Sequence, residues 1–289
     1  MMFPLLEFID SAIAENKTSY NSQDVAAARL SLLRPTHMVD YAMDIYRELN
    51  GEDADVPAEM EEQKTKVYDK LEELREGCKE FDELSNNANE RAKLMEANQW
   101  SIEGLIAANV TTLEVIDLYR QLAKFNYDCG DYQTSRDMLN VYLSLHAVGG
   151  TLVSKDDKKE EEDNRYKHKD AEETPDESGP AVGNPALYNL PTSLLRSEPK
   201  LLEVLWGKLS CEILLGQWPD ARVALRAVQT TIEDLAEQKV LKPLEALHQR
   251  TWVLHWSLFV YLNPQCQNSD MDGLLDLFLG EKYLQAIST

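Results

Sequence analysis

Four cysteines (Cys78, Cys129, Cys211, Cys266), five histidines (His37, His146, His168, His248, His255) and the acidic run NGEDADVPAEME at 50–61 are the residues whose types could bind a metal, attack a substrate or cycle a redox pair. Their spacing favours none of these. No two cysteines form a C-x-x-C pair, and the histidines are not spaced as metal ligands. Counting a calcium loop from Asp53 puts Pro57 at a ligand position and no glycine at the sixth, so Asp53 and Asp55 read as an acidic linker. The phosphate-binding, dinucleotide, zinc-protease and serine-hydrolase motifs are all missing. His255 lies between Trp252 and Trp256 on an apolar helix and is expected to be a satisfied core histidine; Trp252, Trp256, Phe259 and Tyr261 are likewise expected to be core. The sequence therefore predicts no enzyme, and no catalytic, cofactor-binding or metal-binding residues.

The remaining candidate is CGDY at 129–132, a Gly-Asp turn between aromatics that is either a loop with a function or the corner of a helical hairpin. Upstream, Thr111 and Glu114 stand in the T-x-x-E pattern of a capping box, and Ile116, Tyr119, Leu122, Ala123 and Tyr127 share one helical face. Downstream, Tyr132, Met138, Leu139 and Tyr142 mark a second helix. The same pattern recurs: Ala123, Tyr127, Gly130, Tyr132, Ser135 and Leu139 match Leu209, Ile213, Gly216, Trp218, Ala221 and Leu225, displaced by 86 residues from Gly130 to Gly216. Gly130, Tyr132, Gly216 and Trp218 are read as structural corners, the glycines supplying left-handed helix ends and the aromatics filling the groove between helices. The predicted fold is all-α, a right-handed α-solenoid of tetratricopeptide- or HEAT-like helical hairpins.

Other segments fit that plan. Leu5, Leu6, Phe8, Ile9, Ala12 and Ile13 form one helical stripe, expected to face the core. Met38, Val39, Ala42, Ile45, Tyr46 and Leu49 form another, with Thr36 as its N-cap and Gly51 at its end. Val67, Leu71, Leu74, Cys78 and Phe81 make a narrow seam on a highly charged helix entered through Pro57, too short for a confident coiled coil and better suited to packing along a neighbouring helix. A third hairpin is read from Leu241–Leu262 and Asp270–Leu279. Between 155 and 177 the chain carries six Lys or Arg and eleven Asp or Glu with almost no apolar residue, so about 155–180 is expected to be a disordered acidic insertion. The predicted organisation is helical repeat over 1–150, insertion over 151–198 and helical repeat over 199–289.

Charge bounds the partners. With 29 Lys and Arg against 51 Asp and Glu, the formal net charge is −22, and the insertion holds only a small part of it. Such a chain repels phosphate backbones, so no direct nucleic-acid binding is expected. The most apolar stretch, TWVLHWSLFVYL at 251–262, is far shorter than the roughly 20 residues of a membrane span. Unpaired cysteines and no secretory leader point to a reducing, cytoplasmic or nuclear setting.

Six blocks carry a family resemblance: FPLLEF at 3–8, HMVDYAMDIYREL at 37–49, YRQLAKFNYDCGDY at 119–132, LWGKLSCEIL at 205–214, QRTWVLHWSLFVYLN at 249–263, and DLFL with YLQAI between 276 and 287. In this order they resemble the e subunit of eukaryotic translation initiation factor 3. The resemblance implies a non-catalytic scaffold subunit, a helical-repeat region leading to a PCI module that would follow residue 289, and a cytoplasmic location. It implies sibling subunits (c, d and l) and initiation factor 4G as partners, and the small ribosomal subunit through the complex. Two alternatives stay open from the residues: a helical subunit of a related PCI complex, the proteasome lid or the COP9 signalosome, and a free-standing tetratricopeptide adaptor. The adaptor would need a basic clamp where Asp128, Asp131 and Asp220 are acidic.

Overall fold

A computed structural model describes residues 2–15, 20–146, 198–263 and 271–287. The expected disorder at about 155–180 and nearly all of the predicted insertion lie outside the described residues, as do His168 and Cys266. The described residues are all-α, without a strand, which bears out the helical-repeat fold class.

The helices are α1 (Met2–Ala14), α2 (Ser22–Leu33), α3 (Val39–Asn50), α4 (Ala58–Asn86), α5 (Ala88–Glu96), α6 (Ile102–Ala107), α7 (Leu113–Asp128), α8 (Tyr132–Leu145), α9 (Pro199–Leu214), α10 (Trp218–Glu237), α11 (Pro243–Tyr261), α12 (Met271–Leu279) and α13 (Glu281–Ile287). From α7 onward the helices pack in chain order, α7 on α8, α8 on α9, α9 on α10, α10 on α11 and α11 on both α12 and α13, while α4 packs chiefly on α7, past α5 and α6. That nearest-neighbour pattern is the signature of stacked hairpins.

Two cores result. A small one joins Ala26, Leu30 and Leu33 of α2, Ala42, Met43 and Ile45 of α3, and Met60 of α4. A large one runs from Leu74, Cys78 and Phe81 of α4 to the C-terminal helices. The 29-residue helix α4 belongs to both, its N-terminal half to the first and its C-terminal half to the second. Its narrow seam packs on α7 rather than on a coiled-coil partner: Phe81 meets Tyr119 edge-on with ring centroids 5.0 Å apart, and the Tyr119 hydroxyl lies 3.3 Å from Ser85 Oγ in the buried interior.

Polar ties fix the order of the stack. Trp100 Nε1 donates to Ser144 Oγ at 2.8 Å, pinning the α5–α6 connection to α8. Trp206 Nε1 donates to Gln249 Oε1 at 2.8 Å, linking α9 to α11. At the C-terminal end Arg250 grips Glu233 through two hydrogen bonds of 2.8 Å, and Lys282 lies 2.9 Å from the same carboxylate, so one Glu holds α10, α11 and α13 together. Burial opposes ionisation of Glu233, but the Arg250 and Lys282 hydrogen bonds outweigh it and hold the carboxyl below its ordinary range.

Several local expectations need correction. The N-cap of α7 is Thr112, whose Oγ1 accepts from Val115 N at 3.4 Å; Thr111 Oγ1 is buried without a hydrogen-bond partner, so the T-x-x-E pattern is one residue out of register. The N-cap of α3 is Met38, while Thr36 braces the preceding turn by donating to Leu33 O and accepting from Met38 N. Pro57 caps α4 from outside the helix. Phe8, expected in the core, is 70% exposed.

Candidate protein-interaction surface

The two CGDY-like corners are built alike. After α7, Cys129 N donates to Phe125 O, Gly130 N to Tyr127 O, and Asp131 N to Asn126 O; after α9, Leu215 N donates to Cys211 O, Gly216 N to Ile213 O, and Gln217 N to Glu212 O. The last two bonds of each set are the paired bonds of a Schellman helix end, which needs a left-handed residue at the turn. Gly130 has φ +91° and Gly216 φ +70°. The small residues of the second helices, Ser135 and Ala221, are both fully buried, as are Ala123 and Leu209 opposite them. Tyr132 and Trp218 are half-buried, and the Tyr132 ring stands 5.2 Å from that of Tyr127.

The first corner also borders a cleft of about 540 Å³. Its other walls come from the start of α3 and the middle of α4. Met38, Leu71, Cys129 and Gly130 line it together with Tyr41, Tyr68 and Tyr132, and Leu214 closes it from α9. Local chemistry positions these groups. Asp40 accepts from the Tyr68 hydroxyl at 2.6 Å and pairs with Lys64 at 2.9 Å, which locks α3 to α4; these two contacts hold its carboxyl below the ordinary range. His37 stacks on Phe125 of α7 with centroids 4.9 Å apart. Arg29, at the cleft edge, is bound by Asp10 of α1. Burial pushes the Cys129 thiol up to about 11 and the Tyr132 hydroxyl up to about 12, away from the ionised forms that attack a substrate.

Behind the corner, between α8, α9 and α10, lies a buried ionic cluster that the sequence reading missed. Lys208 Nζ donates to Asn140 Oδ1 at 2.7 Å, and Glu212, 1% exposed, has its Oε2 3.7 Å from Arg136 Nη1. Burial lowers the Lys208 pKa against the pull of Glu212, and burial raises Glu212 to about 7 against Lys208 and Arg136. A Lys and a Glu four residues apart inside the largely apolar LWGKLSCEILL were the available signal, since charges inside a buried stripe require partners.

The predicted core aromatics of α11 divide: Tyr261 is buried and Trp256 packs half-buried against the core, while Trp252 and Phe259 stay outside it. The buried face of α11 is Ala246, Val253, Leu254, Ser257, Val260 and Tyr261. Trp252 and Phe259 are 55% and 43% exposed, and His255 is exposed between them, its ring 5.9 Å from Trp252 and 5.5 Å from Phe259. His255 is thus no core histidine. A helix of this length has more apolar surface than α10, α12 and α13 cover, and the excess forms a ridge.

Among the described residues no group of His, Cys, Asp or Glu is arranged to hold a metal ion, and no helix is long and apolar enough to cross a membrane. Stacked hairpins carrying a cleft and an apolar ridge define the class: a helical-repeat protein. Comparison with known proteins makes the class particular. Residues 1–126 match the family model described as "eIF3 subunit 6 N terminal domain". Along its whole length the chain is similar to the E subunit of eukaryotic translation initiation factor 3, with 27% identity to the Arabidopsis thaliana protein over 289 residues, 28% to that of Bombyx mori over 298 and 29% to that of Aedes aegypti over 294. These alignments cover 100% of this chain and 52%, 53% and 52% of the relatives, so the chain spans about half the length of the curated relatives it matches. The resemblance carried by the six sequence blocks is borne out.

Proposed function

We propose that this chain is a non-catalytic scaffold subunit of the eukaryotic translation initiation factor 3 complex, contributing protein–protein contacts to assembly of the 43S preinitiation complex and to mRNA recruitment in the cytoplasm. The observation that carries this reading is the similarity to the factor's E subunit over every part of the chain, repeat region and C-terminal helices alike. The partners we assign are sibling subunits, c, d and l among them, and initiation factor 4G, with the small ribosomal subunit reached through the complex. Repeat regions over 1–150 and 199–289 flank an insertion over 151–198, the second leading toward the PCI module that the resemblance implies. Gly130, Tyr132, Gly216 and Trp218 serve this function as structural corners. The acidic surface supports partner selection by charge: on α4 alone Asp69, Glu73, Glu76, Glu80 and Glu83 recur at helical spacing and are exposed, a stripe suited to basic partner segments.

The direct test is sedimentation of the tagged endogenous protein in a sucrose gradient of cell extract. It is expected to travel with 43S particles and to co-purify with the other subunits of the factor; recovery with the proteasome lid or the COP9 signalosome would reject the proposal. Isolated residues 1–289 are expected to show no salt-sensitive RNA complex in a filter-binding assay at physiological ionic strength, because a net charge of −22 repels phosphate. A tight complex that weakens with added salt would overturn that expectation.

A further inference from the structure

We propose that the cleft between α3, α4 and the α7–α8 corner is the docking site for a short linear segment of a partner protein, carrying a large apolar side chain flanked by lysine or arginine. This rests on the scaffold reading and adds to it a place and a ligand chemistry. At about 540 Å³ the cleft lies within the size range of ligand pockets and can take one large side chain with its backbone. Its surfaces are of the kind that dominates binding energy: Met38 and Leu71 are adaptable or apolar, and Tyr41 and Tyr68 stand 41% and 48% exposed at its edge. Gly130 lets the corner backbone pack directly against the Met38 side chain at the cleft wall, where an added Cβ would come within 3.3 Å of Met38 Cε.

Charge selects the flanks of the segment. Two cations near the cleft are already engaged, Arg29 by Asp10 and Lys64 by Asp40. The carboxylates of Asp40, Asp128 and Asp131 all lie within electrostatic reach of the Cys129 thiol, with Arg75 acting against them. Around this rim the chain as a whole is strongly acidic. Phosphate-bearing ligands are repelled, and a basic segment is drawn in and oriented with its apolar residue toward the floor.

The test uses the full chain and a fluorescent peptide in which lysines flank a Leu-Trp-Leu centre, followed by anisotropy at low and physiological salt, with a glutamate-flanked peptide of the same centre beside it. The lysine peptide is expected to bind, to weaken with salt, and to lose about tenfold in affinity on Tyr68→Ala and on Asp128→Lys, both substitutions at the cleft margin checked for unchanged helicity by circular dichroism. Trp252→Ala, on the α11 ridge, is expected to leave binding unchanged. The proposal falls if neither peptide binds, if the glutamate peptide binds as tightly, if the cleft variants match the parent, or if Trp252→Ala alone abolishes binding and so moves the site to the ridge. Such failure leaves the gradient experiment untouched, because co-sedimentation with 43S particles does not require this cleft to be occupied.

Discussion

Replacing Lys208 by alanine is expected to cost about 3–5 kcal/mol of folding stability, the range for breaking a buried ion pair by removing one partner. Lys208 is 7% exposed, its ammonium bonds Asn140 Oδ1 on α8, and Glu212 one turn along α9 acts on it electrostatically. Without it Glu212 keeps only Arg136, at 3.7 Å, as a cationic neighbour given by the geometry, and Asn140 Oδ1 loses its donor. Glu212→Gln should show instead in the pH dependence of stability. Because burial raises the folded carboxyl from its ordinary 4.5 to about 7, its contribution to stability is fully present below pH 4.5 and is lost as pH rises toward and through 7. The amide variant should therefore flatten the decline across that window. The double variant Lys208→Met with Glu212→Gln should recover much of the loss, since it leaves no unpaired charge between the helices. Urea denaturation across pH 4–8 checks all three; a Lys208→Ala midpoint equal to the parent's would show that the cluster is not a buried pair energetically.

Gly130→Val is expected to destabilise by roughly 3 kcal/mol, and by more than Gly216→Val. Both glycines hold left-handed φ values, +91° and +70°, which cost an L-residue about 1–2 kcal/mol and a β-branched one more. The difference lies in what the new side chain meets. At Gly130 a Cβ would stand 3.3 Å from Met38 Cε and 3.5 Å from Met38 Cγ, adding crowding of about 1 kcal/mol or more; at Gly216 the nearest contact is Trp218 Nε1 at 3.9 Å. Calorimetric melting of the two variants side by side should rank them in that order. Equal melting temperatures would remove the role assigned to Met38, and a Gly130→Val protein as stable as the parent would remove the need for a left-handed corner.

Hairpin grammar was legible in the residues because it is local. The φ > 0 requirement after α7 and α9 depends on one glycine and the five residues before it, and the helical stripes depend on spacings of three and four. Thr111 against Thr112 shows the limit even there: two adjacent threonines can each cap a helix, and only the path of the incoming chain chooses between them. The α11 aromatics show a different limit. A helix apolar on all sides announces burial, yet the sequence does not say how many neighbours will arrive to cover it, and α10, α12 and α13 leave Trp252, His255 and Phe259 outside.

The order of residues was enough to set the helical class, the repeated corner, the acidity and, through six ordered blocks, the similarity to the E subunit of translation initiation factor 3. It took the folded chain to show that the Gly130 corner borders a cleft, that Lys208 and Glu212 are buried together with Asn140 and Arg136, and that one glutamate, Glu233, fastens three helices. The physical reason is distance along the chain. The cleft brings Met38 and Tyr68 to Cys129 and Leu214, and the ionic cluster joins Asn140 to Lys208, across separations over which no periodicity in the sequence reports. Spacing fixes which face of a helix is apolar, but the packing of the folded chain decides what that face, and any charge left on it, will meet.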